Sequence, residues 1–275
     1  GPFRALIFNF EFLILNFEFI CPWTPNPVIL EPVNKTNKNY AKKAIKPPEK
    51  VRSMFDVVAE RYDLVNRLLT FGLDQRWRRI TARATGAGKN SLVLDACTGT
   101  GDLAFAVNSV TGSKVIGVDF SEDMLFIARE KAAKFGLNSH VSFVMASVDN
   151  LPFEDNKFDA VTIGFGLRNT PDYKTVLQEF CRVTRSGGRL VCLESSMPDC
   201  LFLKIPHCIY LTLVVPTIGR IASNNYQAYK YLSDSTQIFP PKKELARMMK
   251  EAGWADATYK SLLGGAIAIH IATKG

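Results

Sequence analysis

At 275 residues, 47% hydrophobic and 22% charged, the chain has material for a full core and is neither wholly disordered nor a repeat array. Six cysteines without a C-x-x-C pair and three histidines exclude a disulfide scaffold and leave little for a metal site; the thiols read as reduced and intracellular. The formal charge of +8 is local. Seven basic residues between Val33 and Arg52 (Lys35, Lys38, Lys42, Lys43, Lys46, Lys50, Arg52) against Glu49 carry +6 of it, so the body is no nucleic-acid surface and the tract is a solvated tether, an anionic-membrane contact or, less often for such tracts, a nucleic-acid contact.

Residues 1–20 repeat NFEF seven residues apart and have the length of a signal segment, but Glu11 and Glu18 interrupt the apolar run. They are a targeting piece, a cloning remnant or upstream translation, and receive no fold. Residues 21–50 read as linker, so 1–50 is expected to be a poorly ordered extension and 51–275 the folded domain. From Val51, apolar residues from Met54 to Leu69 recur at helical spacing, with Ser53 as the expected N-cap. Strands and helices then alternate. SLVLDA ends in a glycine loop; KVIGVDF is followed by Ser121 and a helix to Phe135; VSFVMAS and FDAVTIGF follow. A helix over about 172–184 and a Gly187-Gly188 turn lead into RLVCLES, and the chain closes with the helix KKELARMMKEAG and the strand GAIAIHIATK. This order predicts one α/β, doubly wound, mostly parallel sheet with ligands at the strands' carboxyl ends. The apolar stretch 201–219 is divided by Lys204, Pro206 and Pro216; it reads as buried core helices, as an insertion lining an apolar cleft, or as a membrane span.

The chemistry concentrates in LVLDACTGTGD, 92–102. Gly99 and Gly101 let backbone pass close to a ligand, and the following helix presents free N–H groups. GTGDLA also satisfies a relaxed dinucleotide fingerprint, so an NAD-dependent oxidoreductase is a rival. Asp95, four residues before Gly99, can accept from an amino-acid-like cation that a dinucleotide lacks. Asp119 ends the second strand, where a carboxylate accepts both ribose hydroxyls. After the third strand, Ser147 and Val148 can hold an adenine edge while Asp149 accepts from its amine. Three acids in order at successive strand ends predict an S-adenosylmethionine site.

These residues resemble the ubiquinone/menaquinone biosynthesis C-methyltransferases. The resemblance covers 51–275 and is carried by FDVVAERYDLVNRLLTFGLDQRWRR, TGTGDLAF, LPFEDNKFDAVTIGFGLRN, RSGGRL and YKYLSDSTQIFP. It implies a Rossmann-like class I methyltransferase fold, a seven-stranded sheet with extra helices capping the active site, and methylation of a ring carbon of a polyprenylated benzoquinol or naphthoquinol. By the same resemblance Thr100, Asp119, Ser147, Val148 and Gly164 are donor contacts. Cys97 and Thr98 depart from the family, standing where a small residue and a glycine are expected.

The acceptor ring carbon gains nucleophilicity when its neighbouring hydroxyl ionises. Bringing a phenol pKa from about 10 to about 7 takes about 4 kcal/mol of preferential anion binding. Arg168 and Asn169, just past the fourth strand, are the expected catalytic residues; the rival reading has Arg168 only pairing a nearby acid. The base is open between an ordered water, Asp102, Tyr229 and Tyr231. The expected partners are the quinol and a peripheral membrane surface, with a homodimer or biosynthetic complex left open. The compartment is a cytoplasm, or a mitochondrion or plastid. Further rivals are a methyltransferase for another apolar molecule and a non-catalytic donor-binding subunit.

Overall fold

The computed structural model describes residues 48–223 and 225–275, so the expectations for the N-terminal segment and most of the basic tract lie outside the described residues. Helix α1 is Pro48–Leu69, with proline in the first turn, where its missing N–H costs nothing. Ser53 therefore sits inside the helix rather than capping it, and its Oγ donates back to the Lys50 carbonyl at 3.2 Å. Val51, Val58, Val65 and Leu69 form the buried face of α1, while Val57, Leu64 and Leu68 stay exposed. The turn through Phe71 and Gly72, both at positive φ, leads into α2, Asp74–Ala84.

The sheet and its helices follow as β1 (Leu92–Ala96), α3 (Asp102–Thr111), β2 (Lys114–Asp119), α4 (Glu122–Lys134), β3 (Val141–Met145), β4 (Phe158–Gly164), α5 (Tyr173–Val183), β5 (Thr184–Ser195), α6 (Leu201–Ile209), α7 (Val215–Ser223), α8 (Tyr226–Ile238), α9 (Lys242–Glu251), β6 (Asp256–Leu262) and β7 (Ile267–Thr273). Strand order is β3-β2-β1-β4-β5-β7-β6, parallel from β3 to β5 and antiparallel where β7 meets β5 and β6. Alternation along the strands feeds two layers. Leu94 and Leu190 pack towards α5 and α9 with Leu177, Phe180, Met249 and Trp254, while Val93 turns to the other face with Leu103 and Phe105. The polar strand β6 shows little strand signal, since only Ala257 and Leu262 are buried. The expected Gly187-Gly188 turn is absorbed into β5 as an irregularity: register skips from Phe158↔Thr184 to Ala160↔Arg189 around Gly187 at φ 75°.

The stretch after β5 is a continuous helix in which α6 and α7 are joined by a π turn, Tyr210–Val214. It is not a buried core element: α6 buries nothing. Leu211, Val215, Pro216 and Gly219 are covered, packing with α1 and α8; a Cβ at Gly219 would lie 2.2 Å from the Tyr229 ring. Leu201, Phe202, Ile205, Ile209, Leu213 and Ile221 face outward. This is the one helix among the described residues long and apolar enough to cross a membrane, by length and composition alone.

Candidate active site

The glycine loop follows β1. Gly101 is the left-handed N-cap of α3, at φ 86°, and a Cβ there would lie 2.8 Å from Phe105 Cε2 and 3.1 Å from Phe143 Cζ. Gly99, at φ 54°, has nothing within 4 Å of where a Cβ would be, so its backbone borders open space. Asp119 braces this loop: its carboxylate accepts from Gly99 N at 2.8 Å and Ser121 N at 3.0 Å, one bond to each oxygen. Each oxygen keeps acceptor capacity in the pattern two vicinal hydroxyls need. Burial holds this carboxyl above the ordinary aspartate range, against the pull of its backbone donors.

Asp95 is 1% exposed and accepts from Thr98 Oγ1 at 2.6 Å and Thr162 Oγ1 at 2.7 Å. Burial raises its pKa to about 6, the threonine hydrogen bonds opposing the rise. Thr98 thus holds Asp95, and its room comes from Gly117, where a Cβ would lie 2.9 Å from Thr98 Oγ1. Cys97 is accommodated similarly: a Cβ on Gly166 would sit 2.4 Å from Cys97 Cβ. Glycines on neighbouring segments thus make room for both side chains.

The other expected contacts are distributed unevenly. Thr100 is buried and its hydroxyl donates to Asp63 Oδ1 on α1 at 2.6 Å. Val148 is buried, Ser147 is exposed, and the half-buried Asp149 carboxylate takes no hydrogen bond or ion pair from another described residue. Gly164 ends β4, where a Cβ would lie 3.0 Å from Leu103 Cδ2. Absent from the sequence reading is the strapping by α1. Asp56 accepts from Ser121 Oγ at 2.5 Å, and Lys131 reaches Asp63 Oδ2 at 2.8 Å and also pairs with Asp102. The seven-residue spacing of Asp56 and Asp63 puts both on one helix face and is the signal that could have found them.

Arg168 stands in a 3₁₀ turn, Leu167–Asn169, directly after β4. It is 5% exposed and paired with Glu194 of β5, itself 1% exposed; its Cζ lies 5.7 Å from the Phe165 ring centre. The acid-pairing reading of Arg168 is therefore realised, and Glu194 offsets charge that a free guanidinium would bring to an anion. Arg168 Nε nonetheless remains buried, with no hydrogen-bond partner among the described residues. Arg168 and Asn169 border a cleft whose walls are Met54, Phe55, Val58 and Tyr62 of α1 with Tyr229, Tyr231 and Leu232 of α8. Among the base candidates, Asp102 is committed elsewhere. Burial alone would raise it, but Lys131, Arg78 and Arg67 hold it below the usual range. Tyr229 is pushed by burial up to about 12 and Tyr231 is raised likewise, so both enter neutral solution as protonated hydroxyls.

Comparison with known proteins decides the family. Residues 42–274 match the ubiE/COQ5 methyltransferase family. The chain belongs to that family. A demethylmenaquinone methyltransferase of Shouchella clausii (strain KSM-K16) is 40% identical over 228 residues, 82% of this chain and 97% of the relative. Its namesake in Staphylococcus aureus (strain JH9) is 39% identical over 243 residues, 88% and 95% of the two chains. Among solved structures, the [4+2]-cyclase SpnF superposes with a TM-score of 0.60 at 18% identity, covering 82% of this chain and 96% of that one. The Haemonchus contortus phosphoethanolamine N-methyltransferase 2 complex with S-adenosylhomocysteine reaches 0.60 at 15% identity, covering 82% and 60%. At such identities these two show the fold alone. As a ubiE/COQ5 family member the chain is a methyltransferase of the Rossmann-like class I fold, as its motifs led one to expect.

Proposed function

We propose that this chain transfers a methyl group from S-adenosylmethionine to a ring carbon of a polyprenylated quinol, with a demethylmenaquinol as the acceptor. The observation that carries the reading is the junction of Cys97 with Gly166, which makes the glycine loop and the Arg168 turn share one wall. The names of the 40%- and 39%-identical relatives support the naphthoquinol over the benzoquinol. The donor's fit rests on three features: open space over Gly99, spare acceptor capacity on Asp119, and a buried carboxylate at Asp95 for a cationic amine.

When bound, S-adenosylmethionine supplies a sulfonium-activated methyl group with a good leaving group, so the chemical demand falls on the acceptor. Asp119 orients the ribose, Asp95 the amine, and the Ser147–Asp149 segment the adenine. Thr100 and Gly164 shape the walls between them. Strapped by Asp56 and Asp63, α1 excludes water from this end of the sheet. Arg168 and Asn169 hold the quinol hydroxyl by hydrogen bonds, and its proton passes to a water in the cleft and from there to bulk solvent as the methyl group is transferred. The apolar cleft walls suit a quinone ring. The outward faces of Phe202, Ile205, Ile209 and Leu213, with exposed Lys204 and Arg220 and no acid on that helix, support contact with an anionic lipid surface where a prenyl tail resides. The unpaired thiols Cys97, Cys181, Cys192, Cys200 and Cys208 fit a reducing compartment.

The test is calorimetric titration of the full chain with S-adenosylmethionine and, separately, NADH, followed by competition between demethylmenaquinol and a 2-polyprenyl-6-methoxy-1,4-benzoquinol in turnover. Micromolar donor binding and preference for the naphthoquinol are expected. NADH binding in its place would overturn the donor assignment, and donor binding without turnover of either quinol would leave a non-catalytic subunit or another apolar acceptor.

A further inference from the structure

Glu194 is buried at the end of β5, beside the turn that carries Arg168. Its carboxylate receives the Arg168 guanidinium, the Arg168 backbone N–H at 3.3 Å and the Ser195 N–H at 3.1 Å. A carboxylate taken this far out of water is costly, and burial does hold Glu194 above the ordinary glutamate range although Arg168 pulls it down. That cost has a counterpart in the geometry. One end of the guanidinium is fixed by Glu194, its carbon lies 5.7 Å from the Phe165 ring centre, and the buried Nε–H has no acceptor among the described residues. Arg168 at the same time borders the cleft.

We infer that Glu194 is a positioning residue for methyl transfer: it locks Arg168 so that Nε–H is held for the acceptor hydroxyl, and it offsets the guanidinium charge so that the quinol meets a hydrogen-bond donor rather than a bare cation. The inference rests on the quinol-methyltransferase reading and adds to it a residue that never touches the substrate. Nothing else at hand suits the task. The groups around the pair are Tyr62 of α1, Arg78 of α2, Cys97 after β1, Tyr173 of α5, Cys192 of β5 and Tyr231 of α8. Burial raises the three phenols and both thiols above their ordinary values, so none of these five titrates between pH 5 and 8. Asp95, raised by burial to about 6, acts on Cys97 from the donor side and titrates in that range as well; kcat is therefore followed at saturating donor, and the limb that reports on this pair is the one that Glu194→Gln moves.

Glu194→Gln keeps the shape and removes the anion; Glu194→Asp keeps the anion but shortens its reach. For both variants and the parent chain, donor affinity is measured by calorimetry and kcat for demethylmenaquinol is followed from pH 5 to 9. In Glu194→Gln we expect kcat at pH 7.5 to fall at least about tenfold, because a hydrogen bond to a charged partner is lost and the guanidinium is freed. Donor affinity should stay within about twofold. The acidic limb of kcat should move down by about one pH unit, because an unscreened guanidinium lowers the pKa of the bound hydroxyl. In Glu194→Asp the limb should return to its parental position while kcat stays reduced. Parental kcat and a superimposable profile in Glu194→Gln would overturn the inference. So would a fall in kcat matched by equal loss of donor affinity and melting temperature with the limb unmoved, which marks a merely structural residue. If the parent chain binds donor but methylates no quinol, the functional reading itself fails and this inference falls with it.

Discussion

Replacing Asp95 with asparagine should stabilise the ligand-free protein while weakening its hold on the donor. In the folded chain the Asp95 carboxyl has a pKa of about 6 against 3.8 for the free group, chiefly through burial. The folded pKa is the higher one, so ionised Asp95 opposes folding. The penalty is complete above about pH 6, shrinks as pH falls through that value, and is gone below the unfolded pKa. The difference corresponds to about 3 kcal/mol at pH 8 and roughly half of that at pH 5. At 1% exposure, water does little to screen it. The amide is compatible with the site because its side-chain partners are the hydroxyls of Thr98 and Thr162, each able to donate or accept, which leaves the amide oxygen free to take the Ala104 backbone N–H. For a domain of this size the gain is a rise in Tm of about 5–10 °C at pH 8, and clearly less at pH 5. Scanning calorimetry on both chains at the two pH values, with titration of S-adenosylmethionine at pH 8, reads stability and function together. A variant that melts lower than the parent at pH 8, or a gain that grows as pH falls, would refute the reasoning. Unchanged donor affinity would remove Asp95 from the amine site.

Other consequences are as direct. Asp119→Asn leaves two backbone N–H groups competing for one oxygen; losing about 1.5–3 kcal/mol should weaken donor binding about 10- to 150-fold by calorimetry. Gly101→Ala places a methyl 2.8 Å from Phe105 Cε2 at φ 86°, so donor binding should be lost and the thermal transition lowered. Trp254→Ala empties a buried site and removes the indole N–H bond to the Leu177 carbonyl at 3.1 Å, costing about 3–5 kcal/mol in urea unfolding. The double change Phe202→Ser, Ile205→Ser should reduce co-sedimentation with anionic vesicles by more than about tenfold, since each apolar side chain withdrawn from water contributes about 1.5–3 kcal/mol; unchanged sedimentation would remove this face from membrane contact.

The five parallel strands and the glycine loop were legible because buried parallel strands read as apolar runs closed by glycine or acid, and Val93, Leu94 and Ala96 are such a run. The strand β6 was not, because an edge strand with two buried residues carries almost no alternation. The helix after β5 was ambiguous for a related reason: an apolar segment reads the same whether or not anything covers it, so of its three readings only the buried-core one is decided by the structure, which leaves α6 uncovered. Ser53 failed as a cap because Pro48 starts the helix earlier. Site partners were hidden more thoroughly. That Glu194 meets Arg168 follows from β5 lying next to β4, and that Thr98 fits follows from Gly117 lying on the adjacent strand; both are facts of sheet order, not of spacing along the chain. Asp63 and Lys131 come together only through the docking of α1 on α4.

Transfer itself tests the account most directly. The full chain is incubated with S-adenosylmethionine carrying a deuterated methyl group and with demethylmenaquinol, and the recovered quinone is fragmented in a mass spectrometer. The account predicts a deuterated methyl on ring carbon, formed by the parent chain and reduced at least about a hundredfold in Arg168→Ala, whose removed cation and hydrogen bonds carry about 3 kcal/mol or more of the barrier. A label found on a ring oxygen, or undiminished transfer by Arg168→Ala, would contradict it.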